Sequence, residues 1–207
     1  MVSEKLPPFA VQVDGFLLPK PVAGHPALEL CNTRAGWGEP APKEYLVSYD
    51  HLLVWAREVG VIDAVVVETL RRDAQESPGQ AARVLGQVLA FRQVCYDYLT
   101  GNEDPRVWDA VVVRVESATK ALTLVRTTGG ARWAINPDVG LRYPLLAIAA
   151  AAGDLITSGD VRDVSACPGR GCGWLFTNPT RRRRWCSMAI CGNRAKARRH
   201  AERHRRS

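Results

Sequence analysis

The stretch 167–206 reads CPGRGCGWLFTNPTRRRRWCSMAICGNRAKARRHAERHRR, and it decides how the C-terminal part of the chain folds. Its four cysteines, Cys167, Cys172, Cys186 and Cys191, form two C-x4-C pairs separated by thirteen residues. Each pair can supply two thiolates from one tight turn, and the intervening loop lets the pairs meet around a tetrahedral ion. The spacing therefore predicts one structural zinc ion per chain, with all four cysteines as its ligands.

Other uses of these cysteines are two disulfides, an iron–sulfur cluster, or free thiols in a core. The N-terminus shows no secretory pattern, since Pro7 and Pro8 come early and Asp14 follows. We therefore expect a cytoplasmic protein in a reducing compartment, where disulfides are rare. Core thiols seldom occur twice at one spacing, so zinc is the favoured interpretation. A closed shell of four cysteines leaves no position for water, which makes metal catalysis an unfavoured interpretation.

The charge of the chain is concentrated at its C-terminal end. Residues 167–207 contain twelve Lys and Arg and one acid, a net charge of +11. The other residues contain sixteen bases and twenty acids, a net charge of −4, so the whole chain carries +7. This asymmetry indicates that a polyanion binds at one end of the protein. The longest apolar run, 145–152, is too short to span a bilayer, so no membrane partner is expected.

The basic residues surround the predicted zinc site. A basic run is usually a solvated tail, but Trp185 and Cys186 interrupt this one and tie it to a folded unit. Asn193 is a suitable N-cap for a helix that continues to the end of the basic segment. We expect Arg183, Arg184 and Arg194 to reach bases or a groove, and the arginines after residue 197 to contact phosphates. The candidate DNA-binding residues are Arg181, Arg182, Arg183, Arg184, Arg194, Lys196, Arg198, Arg199, Arg203 and Arg205.

The N-terminal part carries mainly helical signals. Ser48, Asp63 and Asp104 are capping residues before apolar periodic segments, and Pro26 and Pro78 suit a first helical turn. The predicted helices are 26–32, 49–59, 63–74, 78–100, 105–121 and 144–156. Short β-elements are predicted as a pair within 9–18, a hairpin within 122–135 and a strand at 161–166, and a loop is predicted at 36–43.

These signals predict a mainly α fold with small β-hairpins, of the α+β class. Thr157-Ser158-Gly159-Asp160 is typical of a linker, so we place the domain boundary there. A helical regulatory domain is expected at 1–159, and a four-cysteine zinc finger with a basic C-terminal helix at 160–207. Because the linker separates two cores, loss of zinc is expected to unfold the finger and leave the helical domain largely folded.

A polar cluster lies on the first predicted helix, at His25, Glu29, Asn32 and Thr33, and is followed by Arg34. Its simplest interpretation is local, with Asn32 and Thr33 bonded to the backbone, Glu29 in solvent and His25 as a cap. The alternative is a pocket for a small-molecule effector. No pattern for a nucleophile, a phosphate loop or a pair of catalytic carboxylates is present, so we expect that the protein is not an enzyme.

The segment WCSMAICGNRAK at 185–196 closely resembles the CGNR zinc finger family, which is named for the tetrapeptide at 191–194. The first cysteine pair, the following Trp174-Leu175-Phe176 and the arginine-rich loop also fit that family. GHPALELCNT, at 24–33, is similar to the start of the ABATE domain that precedes this finger in family members. The resemblance implies a bacterial stress-induced transcriptional regulator, in which the finger binds DNA and the ABATE domain senses or regulates.

Three functions are compatible with these features. The favoured one is a zinc-dependent transcriptional regulator whose finger binds double-stranded DNA. The second is a non-specific nucleic-acid or protein-interaction adaptor, and the third is an enzyme with its site in the helical domain. Specific binding in the presence of competitor DNA would separate the first from the second. Turnover of a metabolite in a chain that lacks the finger would favour the third.

Overall fold

The structure is a computed structural model that describes residues 6–205. The described elements are β1 (Ala10–Val13), β2 (Phe16–Pro19), α1 (Pro26–Asn32), β3 (Arg34–Ala35), β4 (Lys43–Glu44), α2 (Tyr49–Glu58), α3 (Ala64–Glu76), α4 (Pro78–Leu99), α5 (Pro105–Thr119), β5 (Leu122–Thr127), β6 (Gly130–Ile135), a 3-10 helix (Pro137–Arg142), α6 (Tyr143–Ser158), a 3-10 helix (Asp160–Asp163), β7 (Val164–Ala166), β8 (Leu175–Thr177), a π-helical turn (Met188–Gly192) and α7 (Asn193–His204). Each sheet in this range is an antiparallel pair, β1–β2, β3–β4, β5–β6 or β7–β8. The predicted fold class is confirmed.

Local capping explains where several helices begin and end. His25, Ser48 and Asp104 each accept a hydrogen bond from a backbone N–H in the first turn of α1, α2 and α5. These side chains satisfy donors that have no partner inside the helix. α6 ends at Gly159, whose φ of 85° is the left-handed conformation that favours glycine. The three capping signals therefore act through ordinary capping chemistry. Asp63 and Asn193, which the sequence also predicts as caps, make no capping hydrogen bond, and Asn193 is the first residue inside α7.

Three segments differ from the sequence predictions. The predicted strand 161–166 begins as the 3-10 helix Asp160–Asp163, and only its second half pairs with β8. The predicted loop 36–43 ends in β4, which pairs with β3. A 3-10 helix at Pro137–Arg142, capped by the side chain of Asn136, precedes α6 and was not predicted. All three are short elements, which carry too few residues for a clear periodic pattern.

The main hydrophobic core is centred on α6 and includes side chains from α1 to α6. The segment Pro137–Ser158 is long and apolar enough to cross a membrane by length and composition alone. Of its most apolar window, 56% is buried inside the protein, and α6 packs against α1 and α5. This burial is that of a core helix.

A second, smaller core surrounds the four cysteines. Trp174, Phe176 and Ile190 are buried in it, and Trp185 is partly buried against it. Leu175, which was expected to belong to this small core, instead points into the main core and is fully buried there. Alternation along β8 explains the difference, because successive side chains of a strand point to opposite faces. The division at residues 159 and 160 stays a prediction, and the structure packs the two parts together through β8.

Candidate metal centre and nucleic-acid interface

Two turns bring the four predicted ligands together. Cys167 and Cys172 lie on the turn between β7 and β8, and Cys186 and Cys191 flank the start of the π-helical turn. Their sulfur atoms all lie within 4.8 Å of one another. The Sγ–Sγ distance is 3.7 Å between Cys172 and Cys186 and 3.5 Å between Cys186 and Cys191. The sequence spacing thus produces one compact cluster of sulfur atoms.

This cluster fits a tetrahedral zinc ion. Zn–S bonds of about 2.3 Å at tetrahedral angles place neighbouring sulfur atoms roughly 3.8 Å apart. The observed separations match that value and are far too long for disulfide bonds, which are about 2.05 Å. All six cysteines of the chain are free. The four sulfur atoms therefore form a site for one structural zinc ion, as predicted.

A neighbouring arginine balances the negative charge of the thiolates. The Arg194 guanidinium donates a hydrogen bond of 3.0 Å to the Cys191 sulfur. Hydrogen bonds from the other three cysteines and from Arg194 lower the pKa of the Cys191 thiol. In return, the hydrogen bond to Cys191 raises the pKa of Arg194. A metal ligand must be deprotonated to bind, so Arg194 favours the form of Cys191 that binds zinc.

Glycines shape the first cysteine turn. Gly171 and Gly173 have φ values of 70° and 67°, which side chains with a Cβ rarely adopt. A Cβ on Gly171 would lie 1.8 Å from the Glu39 carboxylate, and one on Gly173 would lie 2.7 Å from Trp37. The turn therefore needs glycine both for its backbone conformation and for its close approach to the segment around residues 37–39.

The metal site fixes the start of α7, the basic helix. Its first residue, Asn193, follows the ligand Cys191 by two positions, and Ala195 is the residue of α7 that is buried. Lys196, Arg199 and Arg203 follow one another at helical spacing and lie along one side. The predicted basic residues of this helix, Arg194, Lys196, Arg198, Arg199, Arg203 and, just beyond its end, Arg205, are all exposed.

Comparison with protein-family models assigns both parts of the chain. Residues 164–204 match the CGNR zinc finger. Residues 24–159 match the ABATE family, whose description is "Putative stress-induced transcription regulator".

The chain belongs to the ABATE family and carries a CGNR zinc finger.

Both matches follow the order expected from the sequence, and together with the four-cysteine cluster they support a zinc-binding regulator. A comparison with curated proteins gives no match.

The CGNR finger is bonded to the first helix of the ABATE domain. The Asn32 amide donates to the carbonyl of Leu175 at 2.9 Å and accepts from the N–H of Leu175 at 2.8 Å. Asn32 is fully buried. This side chain therefore extends the edge of β8 as another strand would, and it satisfies both backbone groups of a residue in the main core.

Aromatic side chains form a second connection between finger and ABATE domain. The rings of Trp37 and Tyr96 are stacked, with centroids 3.6 Å apart and planes inclined by 6°. The Tyr96 hydroxyl donates to the carbonyl of Gly173 at 3.0 Å, and the Trp37 backbone N–H donates to the carbonyl of Cys172 at 3.3 Å. Both partners belong to the first cysteine turn, so α4 and the segment after β3 hold this turn directly.

Removing the Asn32 amide should strongly destabilise the protein. We expect Asn32→Ala to lower the free energy of unfolding by about 2–4 kcal/mol, because the Leu175 N–H and carbonyl are left buried without partners. Urea denaturation followed by circular dichroism measures the change. Gln87→Ala, on the exposed surface of α4, is the control and should stay within about 0.5 kcal/mol. Equal stabilities of the Asn32→Ala chain and the control would contradict this role.

The run 181–184 does not act as one exposed patch. Arg182 is exposed, Arg184 lies over the ring of Trp185 with its guanidinium carbon 5.1 Å from the centroid, and Arg181 donates to the carbonyl of Arg162. Arg181 and Arg184 therefore contact other parts of the finger, although both side chains remain exposed.

Arg183 has a structural position, contrary to the expectation that it reaches bases or a groove. Its guanidinium donates to the carbonyls of Val22 at 2.6 Å and Trp185 at 3.1 Å, and also to that of Cys186. It also lies 4.3 Å from the centroid of the Phe176 ring. Contact with DNA would break these bonds, so we leave Arg183 out of the proposed interface.

A further basic residue, Arg170, was missed by the sequence analysis. It lies in the first cysteine turn and lines a groove of about 310 Å³ together with Arg194 and Arg198. Glu39 of the ABATE domain lines the same groove. The place of Arg170 inside a C-x4-C turn was a usable signal, because the turn brings its residues to the metal site and hence near α7.

Most of the predicted ligand pocket is structural. The Glu29 carboxylate is buried and accepts hydrogen bonds from the N–H groups of Ala23 at 2.6 Å and Gly24 at 3.4 Å, so the expectation that it is solvated is wrong. Burial raises the pKa of Glu29, although these hydrogen bonds act in the opposite direction. Asn32 is used by Leu175, as described above.

Thr33 is likewise occupied by the protein itself. It donates to the carbonyl of Leu30 at 2.6 Å and accepts a hydrogen bond of 2.8 Å from the buried Arg92, which also pairs with Glu44. The polar groups of Thr33, Glu29 and Asn32 are therefore engaged by the protein itself. Glu29 also lines a cavity, but its volume of about 50 Å³ is well below the roughly 300–1,000 Å³ of small-molecule sites. His25 caps α1 as predicted and also lines a separate cavity.

Proposed function

We propose that this protein is a cytoplasmic transcriptional regulator that binds double-stranded DNA through α7 and the first cysteine turn. One observation carries the proposal: the zinc site holds the start of a helix whose exposed charged side chains are basic except for Glu202, which pairs with Arg198. About 18 Å long at 1.5 Å per residue, such a helix fits the major groove of DNA, which is about 12 Å wide.

The basic side chains lie on two sides of α7, so they can contact both edges of a DNA major groove. Lys196, Arg199 and Arg203 lie along one side of α7. Arg194 and Arg198 face Arg170 across the groove on the other side. Phosphates line both edges of the major groove, so a helix with cations on two sides can contact both strands at once.

Zinc, when bound, supplies four bonds that hold the two cysteine turns together. The protein's own residues do the rest: Arg194 balances the thiolate charge, Arg183 fastens the arginine run, and Asn32 and Tyr96 hold the finger on the ABATE domain. The α7 helix is thereby presented at a fixed angle to the body, which favours recognition with a defined register. Since four thiolates fill the coordination shell, we also propose that the metal is structural and not catalytic. Because the sequence has no pattern for a nucleophile or a catalytic carboxylate pair, we propose that the protein is not an enzyme.

The salt dependence of DNA binding tests this function in the full chain. If about six basic groups neutralise phosphates, log affinity for duplex DNA should fall with log salt concentration at a slope of roughly −5. Fluorescence anisotropy on a labelled duplex at several salt concentrations measures the slope. Selection from a random duplex pool then distinguishes a regulator from a non-specific adaptor, which would enrich no sequence. Absence of duplex binding at low salt would reject the proposal.

A further inference from the structure

A cavity of about 850 Å³ lies in the ABATE domain, away from the finger's metal site. It is open to solvent and is bordered by the β5–β6 hairpin, α5, α6 and the start of α1. Its volume falls within the range of about 300–1,000 Å³ that is typical of small-molecule sites. Neither the zinc site nor the proposed DNA interface uses any of its lining residues.

The walls of the cavity suit a flat ring. The floor is a strip of small residues on α6, including Ala147, Ala150 and Gly153. Trp133, on β6, lines the cavity and has 64% of its surface exposed. Its neighbour across the hairpin, Leu124, is 61% exposed. Trp133 and the small residues of α6 line one cavity, so an aromatic ring bound there can stack on the exposed indole.

The charged groups at the cavity leave a negative balance. Arg132 lines it but forms an ion pair with Asp63 at 2.9 Å. Asp154 lines it, is exposed, and has no Lys or Arg partner within 4.0 Å among residues 6–205. Asp160 is near enough to act on His25 as well. The cavity therefore offers one carboxylate that a ligand cation could neutralise.

His25 adds a hydrogen-bond donor rather than a second charge. Its Nδ1 accepts the capping hydrogen bond from the Ala27 N–H at 3.2 Å, which places the ring hydrogen of the neutral form on Nε2. Burial lowers the pKa of His25, although the carboxylates of Asp154 and Asp160 act in the opposite direction. Tyr143 is the remaining titratable side chain in the lining, and burial raises its pKa.

We propose that this cavity binds a small aromatic molecule with a single positive charge. The ring lies between Trp133 and the α6 floor, and the cationic group lies beside Asp154. The proposal goes beyond the proposed function, because it gives the ABATE domain a ligand class, and it does not depend on DNA contacts. Because its test is carried out without DNA, failure of either proposal leaves the other standing.

The lining also borders the connection to the finger. His25 follows Gly24, where an added Cβ would lie 2.7 Å from the Thr177 hydroxyl oxygen. The Ala23 carbonyl accepts a hydrogen bond of 2.8 Å from the Thr177 N–H, at the end of β8. A ligand that shifts the start of α1 would therefore act on the strand that leads away from the first cysteine turn.

Two xanthene dyes of opposite charge test the proposal in solution. Rhodamine 123 is a monocation, and fluorescein is an anion with the same ring system. Fluorescence polarisation with the full chain should show saturable binding of rhodamine 123 only. We expect Trp133→Ala to weaken this binding about fivefold to thirtyfold through loss of the cation–π and stacking contacts. Asp154→Asn should weaken it about twofold to fivefold, the size of an exposed ion pair.

Matched controls keep the result specific. Trp108→Ala removes another exposed tryptophan, and Asp109→Asn removes another exposed carboxylate, both on α5 and outside the cavity lining. These variants should bind rhodamine 123 as the parent chain does. Ala151→Phe, which fills the floor with a ring, should abolish binding while preserving the melting temperature within a few degrees.

Several outcomes would overturn the proposal. Equal binding of fluorescein would show that the site does not select a positive charge. An equal loss of affinity in the Trp108→Ala control would show that the dye does not stack specifically on Trp133. Unchanged binding in both Trp133→Ala and Ala151→Phe would place the dye elsewhere. A dimer that sediments as such and is dissociated by Trp133→Ala would show that a second copy of the chain covers the cavity.

Discussion

A chain with the substitution Cys186→Ser is expected to lose its zinc, the fold of the finger and much of the stability of the ABATE domain. Structural zinc in small finger peptides contributes apparent binding free energies of about 10–16 kcal/mol. A whole domain is stable by only about 5–15 kcal/mol. Loss of one of four thiolates therefore removes an interaction as large as the total stability of the folded chain.

The effect should extend beyond the finger because of how the finger is packed. Leu175 is fully buried in the main core, and its backbone is bonded to Asn32. If the cysteine turns unfold, β8 is no longer held at its other end, and the core loses a leucine. The sequence alone, with two separate cores on either side of Gly159, predicts instead that the helical domain stays largely folded.

Metal analysis and thermal melting of the full chain check this prediction. The parent chain should contain one zinc ion, and the Cys186→Ser chain should contain less than that and melt at a lower temperature by circular dichroism. Cys95→Ala is the control, since Cys95 is buried in the main core and is not a ligand, so this chain should keep its zinc. Full zinc content in the Cys186→Ser chain, or iron with visible absorption in the parent, would contradict the assignment.

The sequence was sufficient for the features that depend on neighbouring residues. Caps at His25, Ser48 and Asp104 placed helix starts, because a capping side chain bonds to N–H groups two or three residues away. The paired cysteine spacing predicted the metal site for the same reason: each turn is local, and zinc geometry restricts how two turns can meet. The β5–β6 hairpin around Gly129 and Gly130 is another local feature.

Features that depend on distant contacts could not be predicted in this way. Asn32 and Leu175 are separated by 143 positions, and a buried asparagine has the same sequence signature as one that binds a ligand. Arg183 is indistinguishable from Arg182 in a run of four arginines, yet only the structure shows that it donates to the Val22 carbonyl. The direction of a side chain is decided by packing, which periodicity does not record.

Neutralising one side of α7 should have the largest effect on DNA binding. We expect the triple substitution Lys196→Gln, Arg199→Gln and Arg203→Gln to weaken binding by about 10²–10³-fold at 0.1 M salt. Each phosphate contact contributes about 0.9 to the slope of log affinity against log salt, so three lost contacts reduce the slope by about 3. Glutamine keeps the helix propensity close to that of lysine and arginine, so the fold of α7 should persist.

A second triple variant separates a contact surface from net charge. Arg72→Gln, Arg83→Gln and Arg106→Gln remove the same charge from exposed positions on α3, α4 and α5. If DNA binds along α7, this control should keep a salt slope near that of the parent chain, and fluorescence anisotropy on one labelled duplex measures both variants. Equal losses in the two variants would mean that only net charge matters, because a surface contact requires the cations of α7 themselves.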